Sequence, residues 1–114
     1  MENIFDAEVL DSLYAAIGDS VNKVITIYVD DVPKNIQQMR EALAKQDFET
    51  VGRLAHSLKS SSGNLGATQI AQLSIDLEAA INQGVTHNSD LLEIINNLEV
   101  SFNRIKPQVL SYIL

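Results

Sequence analysis

The chain has 114 residues, no cysteine and a formal net charge of −7. That length fits one domain over residues 1–114, with a core able to close without disulfides or metal. The missing cysteines exclude a thiolate nucleophile and a Cys-ligated zinc. The acidic balance argues against nucleic acid and anionic membrane as partners, because phosphate backbones need a basic footprint.

The opening Met1-Glu2-Asn3-Ile4-Phe5-Asp6 is acidic and lacks the basic and apolar regions of a secretory signal. No apolar run approaches the ~20 residues that span a bilayer, so a cytoplasmic location is expected. The start at Met1 and the compact length point to a free-standing protein. Glycine and proline are few, which favours helix over strand.

Five helical segments follow in order. The first is predicted over 7–17, with Val9, Leu10, Leu13 and Ile17 on one face, Asp6 as N-cap and Gly18 as stop. The second, over 19–45, carries Val21, Val24, Ile25, Tyr28, Val32, Ile36, Met39 and Leu43. Its stripe keeps phase across Pro33, which predicts a kinked continuous helix, with a break at 30–33 as the alternative. The third begins after Asp47 and runs to about residue 64, with Val51, Leu54, Ala55, Leu58, Ser62 and Leu65 inward and Gly66 as stop. The fourth, over 67–83, turns Ile70, Leu73, Leu77, Ala80 and Ile81 inward. A loop over 84–88 precedes the fifth, which starts near Ser89. Its apolar residues Leu91, Ile95, Leu98, Phe102, Ile105, Val109 and Tyr112 alternate by three and four, as bundle seams do. Pro107 is predicted to kink or end it. Short connections make consecutive helices antiparallel neighbours, so the expected fold is all-α: a four-helix bundle with a short additional N-terminal helix.

The third helix carries the chemistry. On a wheel of about 100° per residue, His56 points roughly 150° from the apolar stripe and therefore into solvent. Arg53 and Lys59 flank it by about 60° on either side, and Gly52, Ser60 and Gly63 lie within about 40° of its direction. Two glycines inside a helix cost about 1 kcal/mol each relative to alanine. Relief of packing against a neighbouring helix would explain them, but both point away from the stripe, so close approach of another body is the reading preferred here. No Asp or Glu occurs over residues 50–75. This is either chance clustering or a surface that receives an anion. Neutral imidazole is a good nucleophile near neutral pH when one ring nitrogen attacks and an acceptor holds the proton on the other. Lys59 could neutralise phosphoryl oxygens, with Arg53 helping more loosely. No P-loop or other nucleotide motif is present.

The segment His56-Ser57-Leu58-Lys59-Ser60-Ser61-Ser62-Gly63-Asn64-Leu65-Gly66-Ala67 resembles the motif of the histidine-containing phosphotransfer (HPt) domain family. That motif is His, any residue, an aliphatic, Lys, Gly, a run of small residues, then an aliphatic, Gly and a small residue. His56, Leu58, Lys59, Ser61, Ser62, Leu65, Gly66 and Ala67 match. Ser60 departs from the usual glycine, which bears on the tightest backbone approach. The resemblance implies a phosphorelay intermediate of two-component signalling. His56 would take a phosphoryl group from the aspartate of one response-regulator receiver domain and pass it to another, with a hybrid sensor histidine kinase upstream. It implies a monomeric phosphocarrier without kinase activity or cofactor of its own, the Mg²⁺ belonging to the receiver. Glu78 occupies the position from which the family often hydrogen-bonds the non-phosphorylated ring nitrogen; a solvated helix charge is the other reading. Docking would use Gly52, Arg53, Ser60 and Gly63 together with Tyr14, unless Tyr14 packs in the core.

Three other readings compete. A hydrolase using His56 and Ser60 lacks an acid orienter and an oxyanion hole. A metal site lacks ligand spacing, since the other histidine, His87, falls in the 84–88 loop. A helical module that binds receivers without carrying phosphate is the serious rival.

Overall fold

The computed structural model describes residues 4–113 and holds five α-helices and no strand among them. The acidic opening at Met1, Glu2 and Asn3, and Leu114, lie outside the described residues. The helices are α1 (Ala7–Ile17), α2 (Val21–Ala44), α3 (Phe48–Leu65), α4 (Thr68–Asn82) and α5 (Asn88–Leu110). Two short 3-10 turns, Gly18–Ser20 and Ser111–Ile113, follow α1 and α5.

Helices α2 to α5 pack in a ring in which each touches its two neighbours, α3 and α4 most extensively. They form the four-helix bundle that the spacing predicts. The seam of α2 is Val21, Ile25, Tyr28, Val32, Ile36, Met39 and Leu43, all buried. That of α5 is Leu91, Ile95, Leu98, Phe102, Ile105 and Val109. Alternating steps of three and four keep such residues on one face, so a single core runs the length of the bundle.

Local chemistry sets the helix ends. The Asp47 carboxylate accepts from the Thr50 amide at 3.2 Å and the Thr50 hydroxyl at 2.7 Å, capping α3. These bonds hold the Asp47 carboxyl below its ordinary value, with smaller help from Arg53 and Lys45. Gly66 ends α3 in the left-handed region at φ +81°. Any side chain there would also run into the backbone carbonyl of Asp6, whose own amide donates to Gly66 O at 2.7 Å. The Gln69 amide donates to Ile4 O at 3.3 Å, so the segment entering α1 is stitched across the α3–α4 turn. Tyr112 closes the same end by donating its hydroxyl to Asp11 Oδ1 at 2.7 Å.

Both prolines sit inside helices that continue past them. α2 runs unbroken through Pro33, and α5 extends to Leu110 beyond Pro107 before tightening into its 3-10 turn. The second helix begins at Val21 rather than at residue 19, because Gly18–Ser20 forms the first 3-10 turn. Two residues assigned inward are exposed instead: Ile17 at 40% and Val24 at 38%. Ile17 is the last residue of the short α1, just before the Gly18–Ser20 turn. Val24 lies at the lip of the α2–α3 groove, one step outside the α2 seam.

Among the described residues, the core contains a polar bridge between helices. Tyr28 and Ser62 share a hydrogen bond of 2.8 Å, and the Tyr28 ring packs edge-on against Phe102. Burial pushes the Tyr28 phenol up to about 12, partly offset by the Ser62 hydrogen bond. Replacing Tyr28 by Phe strands the Ser62 hydroxyl in the core, at a cost of about 1–2 kcal/mol. Tyr28→Phe is therefore expected to lower the thermal midpoint, with Tyr28→Phe/Ser62→Ala recovering part of the loss. Between the ordinary tyrosine value near 10 and about 12, the unfolded chain gives up the Tyr28 proton while the folded chain keeps it. Stability then falls as pH rises through that window, and Tyr28→Phe shows a shallower alkaline decline in denaturant titrations.

Candidate functional site

His56 sits on the outer side of α3 with its side chain 62% exposed. Its Nδ1 lies 2.8 Å from Glu78 Oε2 on α4. An ionised carboxylate only accepts, so Nδ1 carries the hydrogen of this bond. The other nitrogen, Nε2, then holds the free lone pair. The second oxygen of the same carboxylate, Oε1, lies 3.5 Å from Lys59 Nζ. Glu78 is three-quarters buried and bridges the two residues across the α3–α4 contact. Seating an imidazole by a carboxylate on its far nitrogen fixes both tautomer and ring direction.

This geometry decides between the two readings of Glu78 in favour of a partner of His56. It also alters the picture of a carboxylate-free surface. The stretch 50–75 is acid-free in sequence, but the antiparallel return of α4 places Glu78 against the histidine. Lys59 is half-buried and engaged with Glu78 rather than standing free beside the ring.

Gly52 requires a correction. The wheel turns it away from the apolar stripe, yet a Cβ built there lies 3.3 Å from Ile81 Cγ2 of α4. Two neighbours grip α3, so its covered arc is wider than its apolar stripe, and α4 closes in where no side chain holds it off. Gly52 thus serves helix packing and does not lie open for docking. Gly63 keeps the docking reading, since a Cβ there meets nothing within 4 Å. Arg53 and Ser60 are exposed on the same side as His56. Tyr14 is 43% exposed, with its hydroxyl 3.5 Å from Asp19 Oδ1, so it is not core.

On the other flank of α3, Ser57, Ser61 and Asn64 form one wall of a groove of about 300 Å³ whose opposite wall is α2. Val24 and Ile27, exposed by 38% and 50%, stand on that wall above a floor that includes Leu58 and Leu65. Ile75, 42% exposed, lies one turn before Glu78 on α4. Sequence reasoning missed Ile27 and Ile75. Their signal was an apolar residue out of phase with the stripe of its own helix. Among the described residues no group of three or more His, Asp or Glu is placed to hold a metal ion. No described helix is long and apolar enough to cross a membrane.

A family model described as the Hpt domain matches residues 23–106. The chain belongs to the Hpt domain family. Hpt domains are phosphocarriers of two-component signalling, working with its receiver and kinase components. The crystal structure of histidine-containing phosphotransfer protein B (HptB) from Pseudomonas aeruginosa PAO1 superposes with a TM-score of 0.91. The superposition covers 99% of this chain and 96% of that one at 23% identity, so it speaks for the fold. No curated protein sequence matches.

Within this Hpt domain the two α3 glycines should separate cleanly. Gly63→Ala gains helix propensity worth about 1 kcal/mol at an open position. Gly52→Ala gains the same propensity but must push Ile81 back. Thermal unfolding is expected to show Gly63→Ala more stable than the parent and Gly52→Ala less stable than Gly63→Ala.

Proposed function

We propose that His56 is the phosphoacceptor and that its Nε2 takes a phosphoryl group from the aspartyl phosphate of one receiver domain and gives it to the aspartate of another. The observation that carries this reading is the exposed imidazole whose Nδ1–H is held by Glu78 at 2.8 Å. With the proton kept there, the Nε2 lone pair points outward and attack needs no prior proton transfer. The N–P bond forms as the acyl phosphate bond breaks and the aspartate leaves as a carboxylate. Lys59, which pairs with Glu78 at 3.5 Å, is proposed to meet the phosphoryl oxygens arriving on the ring. The Mg²⁺ of the reaction belongs to the receiver, and this chain supplies nucleophile, local charge and docking surface. It carries no nucleotide motif, which supports a carrier without kinase activity. Upstream, a hybrid sensor histidine kinase is the expected source of phosphate. A monomer acting in the cytoplasm fits this role.

The docking face takes in Tyr14, Ile17, Val24 and Ile27 on one flank of His56 and Ile75 on the other, with Arg53, Ser60 and Gly63 between. Exposed apolar side chains around small residues suit a partner that must bring an acidic pocket onto the imidazole. Ser60 stands where the family usually has glycine. Its exposed position adds one hydroxyl to the approach, which could hydrogen-bond the phosphoryl group.

Three substitutions test this reading. His56→Gln is expected to abolish acid-labile, base-stable labelling from a phosphorylated receiver while leaving the helical circular dichroism unchanged. Labelling that persists would remove His56 from the role, and receiver binding without labelling of the parent would make the chain a docking module only. Lys59→Ala should slow transfer with little change in stability, because a partly exposed ion pair is worth about 0–1 kcal/mol. Ile27→Asp is expected to weaken receiver binding several-fold at an unchanged thermal midpoint, as measured by titration calorimetry and thermal melts.

A further inference from the structure

His56 is not held by a neutral group. Its Nδ1 partner is a carboxylate, and that carboxylate is itself seated by Lys59. Resting on the phosphoacceptor role of His56, we infer that the charge of Glu78 sets the lifetime of the phosphorylated histidine by keeping its Nδ1 protonated.

The chemistry follows from where the proton sits. When Nε2 attacks phosphorus, the ring gains an N–P bond and retains its Nδ1 hydrogen, so it becomes cationic. If the hydrogen stays, later cleavage of the N–P bond releases neutral imidazole, a good leaving group. If it is lost to solvent, cleavage must release imidazolate, a poor one. Retention therefore keeps the phosphoryl group mobile, and loss makes it durable. A carboxylate within about 4–6 Å favours a protonated partner by about tenfold or more, whereas an amide in the same place contributes no charge.

The other charged groups around the ring do not supply this effect. Arg53 and Lys59 on α3 are cations and disfavour a positive ring. Asp31 of α2 lines the groove on the other flank of α3, among Ser57, Ser61 and Asn64. Among the described residues Glu78 is the anion in contact with the imidazole. Glu78 is thus a positioning residue that also holds the phosphohistidine in its transferable form.

The experiment uses phosphoramidate, so no cognate receiver is needed. The Nε2 lone pair forms the N–P bond, the P–N bond of the reagent breaks, and ammonia leaves. A His87→Gln background makes His56 the one imidazole in the chain. The half-life of the phosphorylated protein is followed by ³¹P NMR for the parent, Glu78→Gln and Glu78→Ala. At about pH 8 both variants should outlive the parent roughly three- to tenfold, the range being modest because His56 is exposed to solvent. At about pH 5, where the ring is protonated with or without the carboxylate, the lifetimes should converge. Equal lifetimes at both pH values, or the same ratio at both, would overturn the inference while leaving His56 as acceptor. Failure of the parent to label at all would instead overturn the acceptor reading on which it rests.

Discussion

The antiparallel return of α4 along α3 is the constraint on which the site depends. Gly66 permits that return, because the backbone there is left-handed and the carbonyl of Asp6 occupies the space a side chain would need. Once α4 lies alongside, Gly52 admits Ile81 and the two helices close up. At that spacing the Glu78 carboxylate spans from Nδ1 of His56 to Nζ of Lys59. A glycine that the helical wheel turns outward thus lies against Ile81 of the neighbouring helix.

The bundle itself is legible in the sequence because its seams are long and regular. Leu91, Ile95, Leu98, Phe102, Ile105 and Val109 can lie on one line only in a helix, and Asp47 and Gly66 mark the ends of α3 by capping chemistry. His56 is legible for the same reason: a helical wheel needs no tertiary knowledge to turn it outward. Gly52 and Lys59 are not, because a wheel describes one helix and both residues answer to a neighbour. Glu78 stands between these cases. Spacing alone leaves it a solvated charge, and only the register of α4 against α3 converts it into a hydrogen-bond acceptor. Val24 shows the converse error, a residue in phase with its helix that stands at the lip of the α2–α3 groove instead of in the core.

Charge in this molecule is arranged more finely than its net value of −7 suggests. The surface around His56 contains a carboxylate, but one whose two oxygens are both engaged. A receiver's acidic pocket would meet Arg53 and small polar side chains first, with Glu78 three-quarters buried behind the imidazole. If His56 carries a phosphoryl group as proposed, this one anion orients the ring from behind while the imidazole stands between it and that group. The half-buried Lys59 further tempers that anion.

The stitching of the N-terminal segment across the α3–α4 turn has a mechanical consequence. Asp6 bonds to Gly66 and Ile4 to Gln69, so α1 cannot lift away without releasing the turn that aligns α4. Tyr112 bonds Asp11 and ties the end of α5 into the same knot. Segments joined in this way tend to open as one cooperative unit. The N-terminal segment, the α3–α4 turn and the end of α5 are therefore expected to come apart together rather than one after another.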